Sequence, residues 1–419
     1  MEEQIQVTFE ENEQPRKKKK TGLIIGIVAG VLALLLIAGV VLAGVLGIGG
    51  FVLFGGSGDE EENNLFHEGL VVVKSGDKWG YVNKKGEIVI NPQFDNAWNF
   101  ADNGLAAVCL DGKCGYINKK GEYVINPQFD VAENFADNGL ACVMVDGKCG
   151  FIDEKGQYVV NPQFDAESIW GGFLTDNGLA PVMQGDKWGY IDEKGKYVIN
   201  PQFDEAGYFA KNGLACVMVD GKYGYINEKG EYVINPQFDD AWNFGDNGLS
   251  AVGVDGKYGY INEKGEYVIN PQFDWAYSFD DNGLAAVEVD GKYGFINKKG
   301  EYVINPQFDN AYGFADNGLA EVRVDDKRGY INEKGKYVIN PQFDAAGAFS
   351  DNGLAVVVVD GKYGYIDEKG EYVVNPQFDD TSGFYDDGYA AVKSGKKWGI
   401  IDKKGKYVVN PQFDGIGNW

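Results

Sequence analysis

From residue 105 the chain alternates short apolar runs with polar turns: LAAVCL, Asp111-Gly112, KCGYIN, Lys119-Lys120-Gly121, then EYVIN before Pro127. Runs of this length bounded by turn residues predict β-strands at 105–110, 113–118 and 122–126. Asp111-Gly112 supplies the two positive φ angles of a tight hairpin, and Gly121 suits the left-handed position of a bulged one. Tyr123 and Ile125 share a face, while Pro127 removes a donor and is expected to end the pairing. Phe129, Ala132 and Phe135 then make an irregular apolar return. The unit reads as a β-meander of three short strands, with no helical period anywhere in the repeats.

The unit recurs ten times. Asn-Pro-Gln-Phe-Asp begins at 91, 126, 161, 200, 235, 270, 305, 340, 375 and 410, at intervals of 35 residues and once of 39. The longer interval places an insertion around Ile169, Trp170, Gly171 and Gly172. Three strands cannot bury an apolar face alone, so neighbouring units must stack. The first and last units read Lys74-Ser75-Gly76 and Lys393-Ser394-Gly395 where interior units mostly read Val-Asp-Gly, which suggests caps. The expected fold is therefore all-β, an open, twisted, solenoid-like array of meander repeats. A closed β-propeller is the alternative, although its blades ordinarily take four strands and about 40–50 residues.

Ahead of the repeats, residues 23–54 carry no charge, and about 20 such residues suffice to span a bilayer as a helix. Arg16, Lys17, Lys18, Lys19 and Lys20 precede this segment and Asp59, Glu60, Glu61 and Glu62 follow it. The positive-inside bias then predicts a cytoplasmic tail over 1–20 and a transmembrane helix over 21–54. A Gly/acidic linker over 55–66 leads to ten repeats over 67–419 outside the cell. A cleaved signal peptide is the alternative, but its apolar core is usually only about 7–15 residues. Gly26 and Gly30 form a G-x-x-x-G pair suited to a homodimeric helix contact.

The string Gly-Leu-x-x-Val, Gly-Lys-Trp-Gly-Tyr-Ile, Lys-Lys-Gly and Pro-Gln-Phe-Asp resembles the WG-repeat family over residues 67–419. Trp-Gly itself stands at Trp79-Gly80, Trp188-Gly189 and Trp398-Gly399. Elsewhere the tryptophan gives way to tyrosine, to Cys114 and Cys149, or to Arg328, which interrupts an aromatic stripe. The glycine persists in every unit, as expected where a neighbouring strand or ring comes too close for a Cβ. The resemblance implies a binding or scaffold module without a shared catalytic site.

Charge narrows the function. After residue 58 there are 33 basic and 58 acidic residues, which disfavours nucleic acid because phosphate binding needs clustered positive charge. One histidine, five cysteines and no C-x-x-C leave no expected metal site or cofactor. Nucleotide-binding and hydrolase motifs are also missing, so an enzyme is not expected. The aspartate closing each pentapeptide reads as a local turn former, since calcium needs about six to eight converging oxygens. Cys109 and Cys114 fall opposite each other across a hairpin and form a candidate disulfide, with Cys114–Cys149 between units as the other pairing. Cys142 and Cys216 read as buried thiols.

Trp98, Trp170, Trp242 and Trp275 are the candidate ligand-binding residues, because rings lining a groove stack on sugars or grip a partner chain. The competing role for such rings is filling a thin core. Trp170 stands apart because array geometry does not require it. The expected function is a membrane-anchored, surface-displayed, non-catalytic binding or scaffold protein whose partner is a protein or a cell-envelope polysaccharide. A single-pass sensor signalling through helix dimerisation and a passive spacer are the alternatives.

Overall fold

The computed structural model describes residues 64–166 and 177–417. The predicted tail and anchor, nearly all of the linker, and Trp170 lie outside the described residues. Within them no helix is long and apolar enough to cross a membrane.

The repeats fold as ten antiparallel sheets, nine of four strands and one of three among the described residues. We call them blades 1–10 in chain order of their long strands. Blade 2 is representative: Asn96–Ala97, Leu105–Leu110, Lys113–Asn118 and Tyr123–Phe129 lie side by side. The predicted hairpin is present, with Asp111 at φ 53° and Gly112 at φ 75°. Two details differ from the three-strand expectation. A two-residue strand from the apolar return adds a fourth member. The third strand also continues through Pro127 to Phe129, because the register jumps from Tyr116 opposite Ile125 to Cys114 opposite Phe129. The resulting bulge needs no ladder donor from proline. Gly115 faces it, and a Cβ there would stand 2.4 Å from the Ile125 carbonyl oxygen and 2.7 Å from Pro127 N. This is why the glycine persists while the tryptophan before it does not.

The open array is overturned: the ring closes. Gly415–Ile416, the last described strand, pairs with Leu70–Ser75 of blade 1 through Val73–Ile416 and Lys74–Gly415. The physical reason is apolar faces at both ends. Val71, Val73 and Val82 of blade 1 share a core with Ala391, Ile400 and Val409 of blade 10, and capping units of an open array would need polar outer faces instead. Leu65 and Phe66 enter the same core, with their amides donating to the two carboxylate oxygens of Asp387. Every other pair of adjacent blades has its own cluster, as Tyr81 and Phe94 of blade 1 meet Phe100 and Val108 of blade 2.

Polar staples reinforce each interface. Asp95 accepts from Lys78 Nζ at 2.5 Å in blade 1 and from the Asp111 amide at 2.7 Å in the hairpin of blade 2. The pentapeptide aspartates are thus bridges between successive blades and not the local turn formers anticipated. A second staple joins loop residues to the following blade. Asn103, Asn177, Asn212, Asn282 and Asn317 each donate to a glutamate in the following blade. Lysine replaces that glutamate at 84, 119, 298 and 403; two of these lysines meet acids instead, as Lys119–Glu68 and, across the closure, Lys84–Asp387. Asn247 and Asn352 turn to the backbone carbonyls of Phe279 and Tyr385.

Candidate ligand-binding surface

Aligning the ten blades by register separates constant from variable positions. In blade 2 the row Ala97–Val108–Gly115 crosses three strands, and other blades repeat it nearly unchanged, as Ala276–Val287–Gly294 and Ala311–Val322–Gly329. The adjacent row does not repeat. It reads Asn96–Cys109–Cys114 in blade 2, Asp240–Gly253–Tyr258 in blade 6 and Trp275–Glu288–Tyr293 in blade 7. Blade 8 has Asn310–Arg323–Arg328 and blade 9 has Ala345–Val358–Tyr363.

A second variable position lies in the return, at Trp98, Glu133, Trp242, Tyr277 and Tyr312. Its backbone is held while its side chain changes. Tyr81 of blade 1 donates its hydroxyl to the Trp98 carbonyl at 2.7 Å, and Tyr225 and Tyr260 hold Trp242 and Tyr277 in the same way at 2.7 and 2.6 Å. These tyrosines are buried, which pushes their hydroxyls well above the usual range. Blade 7 has Phe295 at that position. There Asp280 accepts from the Phe314 amide at 2.7 Å and holds the segment carrying Tyr312. Burial raises the Asp280 carboxyl to about 6. A Cβ at Gly313 would lie 2.5 Å from Asp280 Oδ1 and would push this carboxylate aside.

On blades 6–8 the two variable positions merge into one aromatic array. Trp242 and Trp275 meet edge to face at 5.9 Å, and Tyr258 lies 4.9 Å from Trp275. Tyr277 continues the array to Trp275, Tyr293 and Tyr312 at 6.3–6.4 Å. These rings are half-buried, except that Tyr312 is exposed. Tyr258 and Tyr293 donate to the carboxylates of Asp240 and Glu288 at 2.7 and 2.9 Å. Trp242 Nε1 is buried without a hydrogen-bond partner, as is Asn310 Oδ1.

Of the predicted tryptophans, the structure joins Trp242 and Trp275. Trp98 packs against the core between blades 2 and 3, four blades earlier. Cys109 and Cys114 stand opposite each other and are joined as a disulfide. Cys142, Cys149 and Cys216 are buried thiols, and burial pushes Cys216 up to about 12. Tyr258, Tyr277, Tyr293, Tyr312 and the arginines of blade 8 join this surface without having been among the predicted ligand-binding residues. Their signal was variation at fixed repeat positions.

These observations define a closed ten-bladed β-propeller with one variable, ring-rich surface on a near-constant scaffold. The chain belongs to the family described as WG containing repeat, whose model matches ten segments running from 79–114 to 398–419. No curated protein matches the sequence significantly. Among solved structures, a eukaryotic initiation factor is similar at 11% identity, over 84% of this chain and 97% of its own, with a TM-score of 0.51. The tricorn protease is similar at 13% identity over 83% of this chain and 44% of its own, with a TM-score of 0.24. At 11% identity the likeness to the initiation factor bears on the fold alone.

Proposed function

We propose that this propeller is a non-catalytic binding module whose recognition surface is the aromatic array of blades 6–8 and whose ligand is a sugar chain. One observation carries the reading: Trp242, Trp275, Tyr258, Tyr277 and Tyr312 form a continuous set of rings at the positions where the repeat varies. Rings contributed only for packing would recur with the scaffold, as the buried Tyr81–Phe100 pair does in Tyr116–Phe135 and Tyr225–Phe244. Exposed and half-exposed rings flanked by carboxylates suit pyranose faces and their hydroxyls. The uncharged segment 23–54 supports display of the ring outside the cell on a single-pass anchor.

The test is binding of the full chain, in detergent micelles, to immobilised neutral and acidic cell-envelope polysaccharides. Trp275→Ala is expected to weaken binding about tenfold, equal to roughly 1.4 kcal/mol, while Trp98→Ala leaves it unchanged. Equal effects of the two substitutions, or no binding to any polysaccharide, would overturn the reading.

A further inference from the structure

Arg323 and Arg328 are the only arginines in the repeats, and they stand directly opposite each other on one hairpin of blade 8. Like charges placed opposite across a sheet repel. A chain of net charge −25 has ample carboxylates to neutralise both, yet only one is committed to them. Arg328 Nη1 donates to Glu321, a buried carboxylate. Arg323 has a single long contact, Nη2 to the Asp309 carbonyl at 3.5 Å, and its Nε is buried with no partner. The nearby Asp309 carboxylate is taken by Lys292 and the Asp325 amide. Next along the row, Asn310 Oδ1 is also unpartnered. The site therefore keeps one guanidinium charge to which no carboxylate is hydrogen-bonded.

The aromatic array leads into it. Tyr312 is an electrostatic neighbour of Arg328 and lies 6.3 Å from Tyr277. An anion on Arg323 would thus be attached to a group lying over Tyr312. A guanidinium fork matches a planar carboxylate through paired N–H donors, and one carboxylate balances that one charge.

We infer that Arg323 and Arg328 form an anion subsite at the end of the aromatic array, selecting a sugar chain that carries carboxylates. This rests on the glycan reading above and adds the class of sugar. The repulsion expected between a polyanion and an acidic protein makes any preference for acid a property of this hairpin.

The probes are oligogalacturonides and hyaluronan oligomers, each compared with its methyl ester, which keeps the rings and removes the charge. Titration calorimetry on the full chain in detergent would compare wild type, Arg323→Gln and Trp275→Ala. Arg323 is chosen because removing Arg328 would strand the buried Glu321. The expected result is acid bound at least about tenfold more tightly than ester by wild type. Arg323→Gln should erase that preference and leave ester binding intact, and Trp275→Ala should weaken both forms. Equal affinity for acid and ester, or a preference that survives Arg323→Gln, overturns the subsite and leaves the aromatic reading standing. Dextran sulfate displacing the oligogalacturonide at equal charge overturns the carboxylate assignment. Failure of every acid and ester to bind overturns both inferences together.

Discussion

Val73 in the first blade pairs with Ile416 in the last described strand, and their side chains lie in the same core. That contact joins the two ends of the repeat domain. Ile416→Ala is expected to destabilise the ring by about 2–4 kcal/mol, as for other buried large-to-small changes. Ile88, exposed on the long edge strand of blade 1, is the control, and Ile88→Ala should stay within about 0.5 kcal/mol of wild type. Urea midpoints compare them, and equal shifts would mean that closure contributes nothing to stability.

The bulge opposite Gly115 gives a sharper prediction. A Cβ at 2.4 Å from the Ile125 carbonyl oxygen has nowhere to go, because the obstruction is backbone. Gly115→Ala should cost more than about 2 kcal/mol, through lost ladder bonds and displaced strands. Thermal unfolding would show it, and an unchanged midpoint would contradict the assigned bulge.

Blade 8 contains a turn that can be improved. Asp325 and Asp326 both have positive φ, at 47° and 62°, where blade 2 and most other blades place glycine second. A left-handed residue with a side chain costs about 1–2 kcal/mol, less for aspartate. Asp326→Gly is expected to stabilise the protein by about 0.5–1 kcal/mol, read as an increase in the denaturation midpoint.

Two kinds of aspartate give opposite pH dependence. Lys78 and the Asp111 amide hold Asp95 below the usual carboxylate range, and Asp239 and Asp344 are lowered in the same way. Their contribution is complete above the unfolded value and lost as pH falls through the lower folded one. Asp280 is raised from 3.8 to about 6 by burial. Across that window the folded state holds more protons at this site than the unfolded state, so its contribution declines as pH rises. Asp280→Asn should flatten stability between pH 4 and 6 relative to wild type, measured by urea denaturation at stepped pH. A profile parallel to wild type would exclude Asp280 as the group responsible.

The hairpins, the period and the glycine of each Trp-Gly position were legible because each depends on local backbone geometry. The face-to-face placement of Cys109 and Cys114 followed from counting outward from Asp111-Gly112. Closure was not legible in the same way, since curvature is a property of ten interfaces together. Its trace was present in Val71 and Val73, whose apolar character does not suit a cap. The two-residue strand Asn96–Ala97 is too short for alternation to register, and it forms by pairing with the next unit. The array escaped because Trp242 and Trp275 occupy different repeat positions and meet only across blades. Arg328 looked like a gap in an aromatic stripe, and only the register sets it against Arg323.

A closed ring counts its units. In an open stack a duplicated or lost repeat changes length and leaves the remaining joints alone. Here the strand Gly415–Ile416 must reach Val73, so adding or removing one blade changes the wedge angle at every interface. Diversification by repeat number is therefore penalised throughout the molecule at once. Substitution within the variable rows disturbs one blade and leaves the rest in place. Such a scaffold acquires new specificity through side chains while its circumference stays fixed.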